Sequence, residues 1–145
     1  MTDPASDPYN LQRFLDAQAP VFDQVLAELR AGRKRSHWMW FIFPQIAGLG
    51  SSEIARHFAI SGRAEAEAYL AHPTLGPRLR DCTALVNQIP NRTVSDIFAY
   101  PDDLKFRSSV TLFAAVAPTE TDDVFQQAIK KYFAGEPDSA TLNLL

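Results

Sequence analysis

The residues best suited to chemistry are concentrated in one short stretch of the sequence, numbers 32 to 50. The stretch contains cations, an imidazole, two indole rings and an amide, at Lys34, His37, Trp38, Trp40 and Gln45. Between residues 30 and 52 there are four Lys or Arg residues and no acid, although the whole chain has a net charge of −3. Aromatic rings beside cations favour a ligand that combines a planar ring with an anion, such as a nucleotide-like molecule.

A second polar group interrupts an apolar helix that we predict to begin after Pro101. It contains two cations and three hydroxyls, at Lys105, Arg107, Ser108, Ser109 and Thr111. A cation that approaches the core needs a counter-charge, because an unpaired buried charge costs several kcal/mol. For Arg107 that counter-charge is either Asp102 or Asp103, or the anion of a ligand, and we expect the ligand anion. The alternative for the hydroxyls is helix packing through small residues.

The sequence alone leaves two interpretations of residues 32 to 50 open, a buried core element or a ligand pocket. Trp38 to Phe43 are six apolar residues in a row, which are apolar on every side whether they form a helix or a strand. The run is therefore either the centre of the core or the wall of a pocket that is partly exposed to receive a ligand. If it is core, the basic residues before it are the solvated end of a helix, where the helix dipole favours cations.

His37 is the candidate for a catalytic acid or base, although no partner carboxylate lies near it in sequence. The other histidines, His57 and His72, are expected at a helix edge and in a turn, and the three show no metal-ligand spacing. Cys82 stands at an apolar helix position and is expected in the core. We therefore expect no metal site and no cofactor.

The elements that must position these groups are short helices separated by proline and glycine. Ten prolines lie mostly at predicted boundaries, and no alternating apolar pattern indicates a sheet. Predicted helix signals include Asp7, Ser52, the Thr93–Asp96 capping box and either Asp138 or Ser139 as N-caps, with Gly32 and Gly135 as C-terminal stops. The sequence predicts one all-α domain of eight or nine helices over residues 7–145, with residues 1–6 disordered and residues 38–43 at its centre.

Length and composition exclude several classes. The 145 residues are 46% hydrophobic and 21% charged, which is typical of one globular domain. An acidic balance disfavours a dedicated nucleic-acid binder, and no apolar run is long enough to span a membrane. One cysteine excludes an internal disulfide, and the polar N-terminus does not resemble a signal peptide. We expect a soluble, cytoplasmic protein.

The whole pattern resembles domain-of-unknown-function family 1810. The similarity rests on the string from Lys34 to Gln45 followed by Gly48-Leu49-Gly50, and on several later matches in the same order. Those matches are Glu67 to Leu70, His72-Pro73, Leu75-Gly76, Arg78-Leu79, Asp102, Lys105, Arg107 to Ser109, Thr111 to Phe113, Phe133 to Gly135, Asp138 and Thr141-Leu142. The resemblance covers Tyr9 to Leu145 and implies an all-α fold. It implies no reaction; some members carry the label calpastatin, but nothing in this sequence indicates protease inhibition.

Two hypotheses about function follow from these observations. The first is a small-ligand site, binding or catalytic, formed where residues 34–45 meet residues 105–111. Its ligand-binding residues would be Lys34, His37, Trp38, Trp40, Gln45, Lys105, Arg107 and Ser108. The second is a protein-interaction module whose aromatic and basic groove receives an acidic partner.

Overall fold

Short amphipathic segments between helix-breaking residues fold into a helical bundle. The computed structural model describes residues 6–117 and 124–145, and within these ranges it contains ten α-helices and no strand beyond an isolated Ile46–Ile60 bridge. The helices are α1 Gln12–Gln18, α2 Phe22–Arg30, α3 Met39–Ile42, α4 Glu53–His57, α5 Arg63–Ala71, α6 Leu75–Asn87, α7 Val94–Phe98, α8 Asp102–Val116, α9 Val124–Phe133 and α10 Ser139–Leu144. The predicted all-α class is confirmed. Residues 1–5, most of the segment predicted to be disordered, lie outside the described ranges.

Most of the predicted capping residues begin or end helices as expected. Asp7 is the exception: α1 begins only at Gln12, and the Asp7 carboxylate accepts from the N–H groups of Leu11 and Gln12. Ser52 and Asp138 accept backbone N–H bonds at the starts of α4 and α10, and Thr93 forms a capping box with Asp96 at α7. Gly32 follows α2 with a φ of +78°, a conformation that glycine adopts without strain. These signals are local, and local hydrogen bonding is sufficient to place them.

The apolar run at residues 38–43 crosses the centre of the molecule, as predicted. It contains α3, a single turn of helix whose form the sequence left undecided and which brings the helices in the described ranges to ten. Phe43 is fully buried and makes edge-to-face contacts with Phe98 and Phe106. The run is therefore mainly core, and only Trp40 within it is half-buried.

Helix α8 is the central support of the fold. It packs against α5, α7, α9 and α10, and the residues buried around it form one continuous apolar cluster. The described residues therefore form one domain. None of its described helices is long and apolar enough to cross a membrane.

Candidate functional site

A buried carboxylate holds the first half of the chemistry-rich stretch in place. Glu28 on α2 accepts hydrogen bonds from the backbone N–H groups of Arg35 (2.6 Å) and Ser36 (2.9 Å), and from the Ser36 hydroxyl (2.6 Å). The indole N–H of Trp38 (3.0 Å) and the amide of Gln24 (2.8 Å) also donate to it. Burial alone would raise the pKa of Glu28, but the donors outweigh it and lower the pKa from 4.5 to about 2.

The two tryptophans occupy different environments. Trp38 is 1% exposed and its indole N–H is taken by Glu28, so Trp38 belongs to the core. Trp40, two residues further on, is half-buried at the start of α3. Of the two rings that the sequence offered for stacking, Trp40 is the one that remains accessible.

The residues 34–45 and 105–111 meet at a shared carboxylate. Asp102 lies 2.9 Å from the Lys34 ammonium and 3.5 Å from the Lys105 ammonium. The Lys105 ammonium also lies 4.8 Å from the centre of the Trp40 ring, and Lys34 lies 5.1 Å from that of Trp38. Two ammonium groups against one carboxylate leave one unbalanced positive charge beside an accessible aromatic ring.

A cavity of about 100 Å³ opens beside the same ring. Four larger residues line it, Trp40, Gln45, Arg56 and Phe58, and the other lining residues are small or aliphatic: Ile46, Ala47, Gly48, Gly50, Ala55 and Ala59. The Gln45 backbone is fixed, because its carbonyl accepts a 2.8 Å hydrogen bond from the N–H of Ile60. Trp40 therefore belongs both to the cationic cluster and to the wall of a cavity that Gln45 and Arg56 also line.

His37 is exposed, and its ring has no hydrogen-bond partner among the described residues. Its backbone position is nevertheless fixed, since Glu28 binds the neighbouring Ser36 and Trp38. The imidazole is thus presented to solvent from a rigid support. No carboxylate within the described ranges orients it as in a catalytic pair.

Arg107 and the neighbouring hydroxyls are engaged by the end of the chain. The Arg107 guanidinium donates to the carbonyl oxygen of Glu136 at 2.8 and 3.1 Å and lies 3.9 Å from its carboxylate. Ser108 donates to a carboxylate oxygen of Asp138 (3.3 Å), and Thr111 accepts from the Asp138 N–H (2.8 Å). The expected ligand anion is therefore replaced here by backbone carbonyls, and neither Asp102 nor Asp103 holds Arg107.

Sequence reasoning missed three groups that shape the site: Glu28, Asp102 as a shared counter-charge, and Arg56 in the cavity wall. The signal for Glu28 was present, since a buried tryptophan needs an acceptor for its indole N–H. For Asp102 the i,i+3 spacing to Lys105 was a local signal, whereas its contact with Lys34 and the position of Arg56 arise only through the fold. No cluster of three or more metal-ligating side chains occurs in the described ranges.

Comparisons with known proteins agree with the resemblance seen in the sequence. The model of the family described as Protein of unknown function (DUF1810) matches residues 8–145. The crystal structure of the conserved hypothetical protein Rv1873 from Mycobacterium tuberculosis is similar, with 54% sequence identity and a TM-score of 0.93. That match covers 96% of this chain and 98% of the other. No curated protein gives a significant match.

Proposed function

The chain belongs to the family Protein of unknown function (DUF1810), and for this member we propose the binding of a small anionic, nucleotide-like ligand beside Trp40. A single arrangement carries the proposal: the Trp40 ring lies 4.8 Å from the Lys105 ammonium and lines a cavity whose wall also includes Gln45 and Arg56. The planar part of the ligand would contact the indole, and its anion would pair with Lys105. Gln45 would orient the planar part by hydrogen bonding.

The charge balance of the cluster supports the same ligand class. Asp102 neutralises one of the two ammonium groups that it contacts, and Lys34 is the closer at 2.9 Å and the more buried of the two. Lys105 is more exposed, with 25% of its side chain accessible, and its positive charge remains available to pair with a ligand anion. An anion at this position would complete the neutralisation without displacing an internal ion pair.

Binding titrations with three probes test the proposal. AMP carries a ring and an anion, adenosine carries only the ring, and inorganic phosphate carries only the anion. We expect AMP to bind more tightly than either part alone, because only AMP makes both contacts. Equal or undetectable binding of all three, measured by isothermal titration calorimetry, would overturn the proposal.

Two substitutions locate the site. Lys105→Ala and Trp40→Ala should each weaken AMP binding about tenfold or more, as expected for the loss of about 1.5 kcal/mol or more of a charge-assisted or stacking contact. Lys130, exposed on α9, provides the matched control, and Lys130→Ala should leave AMP affinity unchanged. An equal effect of both lysine substitutions would indicate only non-specific attraction of the anion.

Whether chemistry accompanies binding depends on His37, which stays the candidate acid or base. His37→Ala should abolish any turnover that is found while leaving the fold intact, since no described residue bonds its ring. Unchanged turnover would remove His37 from that role. We place the protein in the cytoplasm as part of the same proposal.

A second candidate function is the capture of an acidic protein segment. It is favoured by Arg33 and Arg35, which are exposed and form no ion pair with any described residue. Arg33→Ala combined with Arg35→Ala should then reduce binding of a poly-glutamate peptide and leave AMP binding intact. Nucleic acid is the least favoured partner, because the excess positive charge is confined to this stretch of an acidic chain.

A further inference from the structure

The polar face of α8 that the ligand proposal does not use contacts the last part of the chain. We name residues 134–145 the docked segment. Arg107 binds the Glu136 carbonyl, and Ser108 and Thr111 bind Asp138. Asp138 in turn caps α10, accepting from the N–H and the hydroxyl of Thr141 at 3.0 and 2.6 Å.

Near its C-terminal end, the docked segment contacts the wall of the cavity beside Trp40. The side-chain carbon atoms of Leu144 lie 3.3 and 3.4 Å from the position that a Cβ on Gly48 would occupy. Gly48 has a φ of +104°, a conformation that any other residue adopts only with strain, and it lines the cavity beside Trp40. Leu144 therefore packs on a glycine that leaves room for it, although Leu144 itself remains 45% exposed.

We propose that Leu144 is a positioning residue for the Trp40 cavity. It holds the loop of residues 46–50 in the shape that forms part of the cavity wall, and the contacts of α8 with Asp138 keep Leu144 in place. The effect of Leu144 on ligand binding rests on the proposed function, whereas its effect on the cavity wall does not depend on any ligand. Leu144 would touch no ligand and would act only through Gly48.

Leu142 provides a matched control for Leu144. Both are leucines of α10, and they are exposed to a similar degree, 43% and 45%. The three atoms nearest to the Cβ position of Gly48 all belong to Leu144. Leu144→Ala and Leu142→Ala therefore remove the same exposed apolar surface and differ in the contact with the loop.

Acrylamide quenching of tryptophan fluorescence tests the inference without any ligand. Trp38 is 1% exposed, so quenching in the folded protein reports mainly on Trp40. We expect Leu144→Ala to raise the quenching constant because the loop beside Trp40 loosens, and Leu142→Ala to leave it at the wild-type value. Equal quenching constants for the two variants would overturn the inference.

Asp138 supplies a second pair of variants, which decides the question if Leu144→Ala folds poorly. Asp138→Ala removes the cap and the bond from Ser108, and should raise the quenching constant as well. Asp138→Asn keeps an oxygen acceptor for the N–H of Thr141 and should restore the wild-type value. Wild-type quenching in Asp138→Ala, with an unchanged circular dichroism spectrum, would count against the inference.

AMP titration of the same variants separates this inference from the proposed function. We expect the Kd for AMP to rise in Leu144→Ala and to stay unchanged in Leu142→Ala. If wild-type protein fails to bind AMP, the proposed function fails, and the quenching comparison still decides the role of Leu144. If AMP binds wild-type protein and both leucine variants equally, Leu144 does not position the site.

Discussion

Replacing Glu28 by glutamine removes the charge that holds residues 35 to 38. In the native state the pKa of Glu28 is about 2, against an ordinary value of 4.5, because hydrogen bonds from Ser36, Arg35 and Gln24 outweigh the effect of burial. At about 1.4 kcal/mol per pKa unit, this difference corresponds to roughly 3 kcal/mol of stability at neutral pH. Glu28→Gln should therefore lower the free energy of unfolding at pH 7 by about that amount.

The dependence on pH gives the prediction a second, independent readout. Since the pKa is lower in the folded state than in the unfolded state, the stabilisation is complete above about pH 4.5 and is lost as the pH falls towards 2. The difference between wild type and Glu28→Gln should shrink over that range. Urea unfolding curves followed by circular dichroism at pH 7, 5 and 3 measure it.

An exposed glutamate gives the control for this experiment. Glu67 pairs with Arg63 at 3.6 Å, and both side chains are more than half exposed. Glu67→Gln should change stability by less than about 0.5 kcal/mol, as is usual for surface pairs. A difference between wild type and Glu28→Gln that is equally small, or that does not vary with pH, would refute the assigned role of Glu28.

Three further substitutions or reactions probe the fold around the site. Gly76→Ala should destabilise the protein by about 3 kcal/mol or more, since its Cβ would clash with the backbone carbonyl oxygen of Leu70 in α5. Gly62→Ala is the control: a Cβ there meets nothing within 4 Å, so the Tm should be nearly unchanged. Cys82 should resist dithionitrobenzoate at pH 8 until the protein unfolds, because burial and then the charge of Asp81 raise the pKa of its thiol to about 12; rapid reaction of the folded protein would contradict this. Arg107→Ala should lower the free energy of unfolding by about 1 kcal/mol through lost hydrogen bonds, and an unchanged urea midpoint would show that these bonds are not formed in solution.

Much of the fold follows from local signals in the sequence. Helix caps such as Ser52 and the pair Thr93–Asp96 depend on bonds within three residues, so the sequence alone predicts them. The central position of residues 38–43 follows from their unbroken apolar character. The one-turn helix α3 could not be predicted, because four residues contain too short a pattern to separate a helix from a strand.

The candidate site was predicted in part. The sequence indicated that residues 34–45 and 105–111 matter together, and the structure joins them through Lys34, Asp102 and Lys105. The partner of Arg107 could not be read from the sequence, because it is a backbone carbonyl 29 residues away and carries no side-chain signal. Similarly, nothing in residue type distinguishes the buried Trp38 from the accessible Trp40.

A two-dimensional ¹H–¹⁵N spectrum of the indole groups tests the central claim most directly. The chain has two tryptophans, so two indole N–H signals are expected, and Trp40→Phe assigns them. Titration with AMP should shift the Trp40 signal saturably and leave the Trp38 signal in place, because Trp38 is locked to Glu28 in the core. A Trp40 signal that does not move at millimolar AMP, or a Trp38 signal that moves alone, would contradict a ligand site beside Trp40.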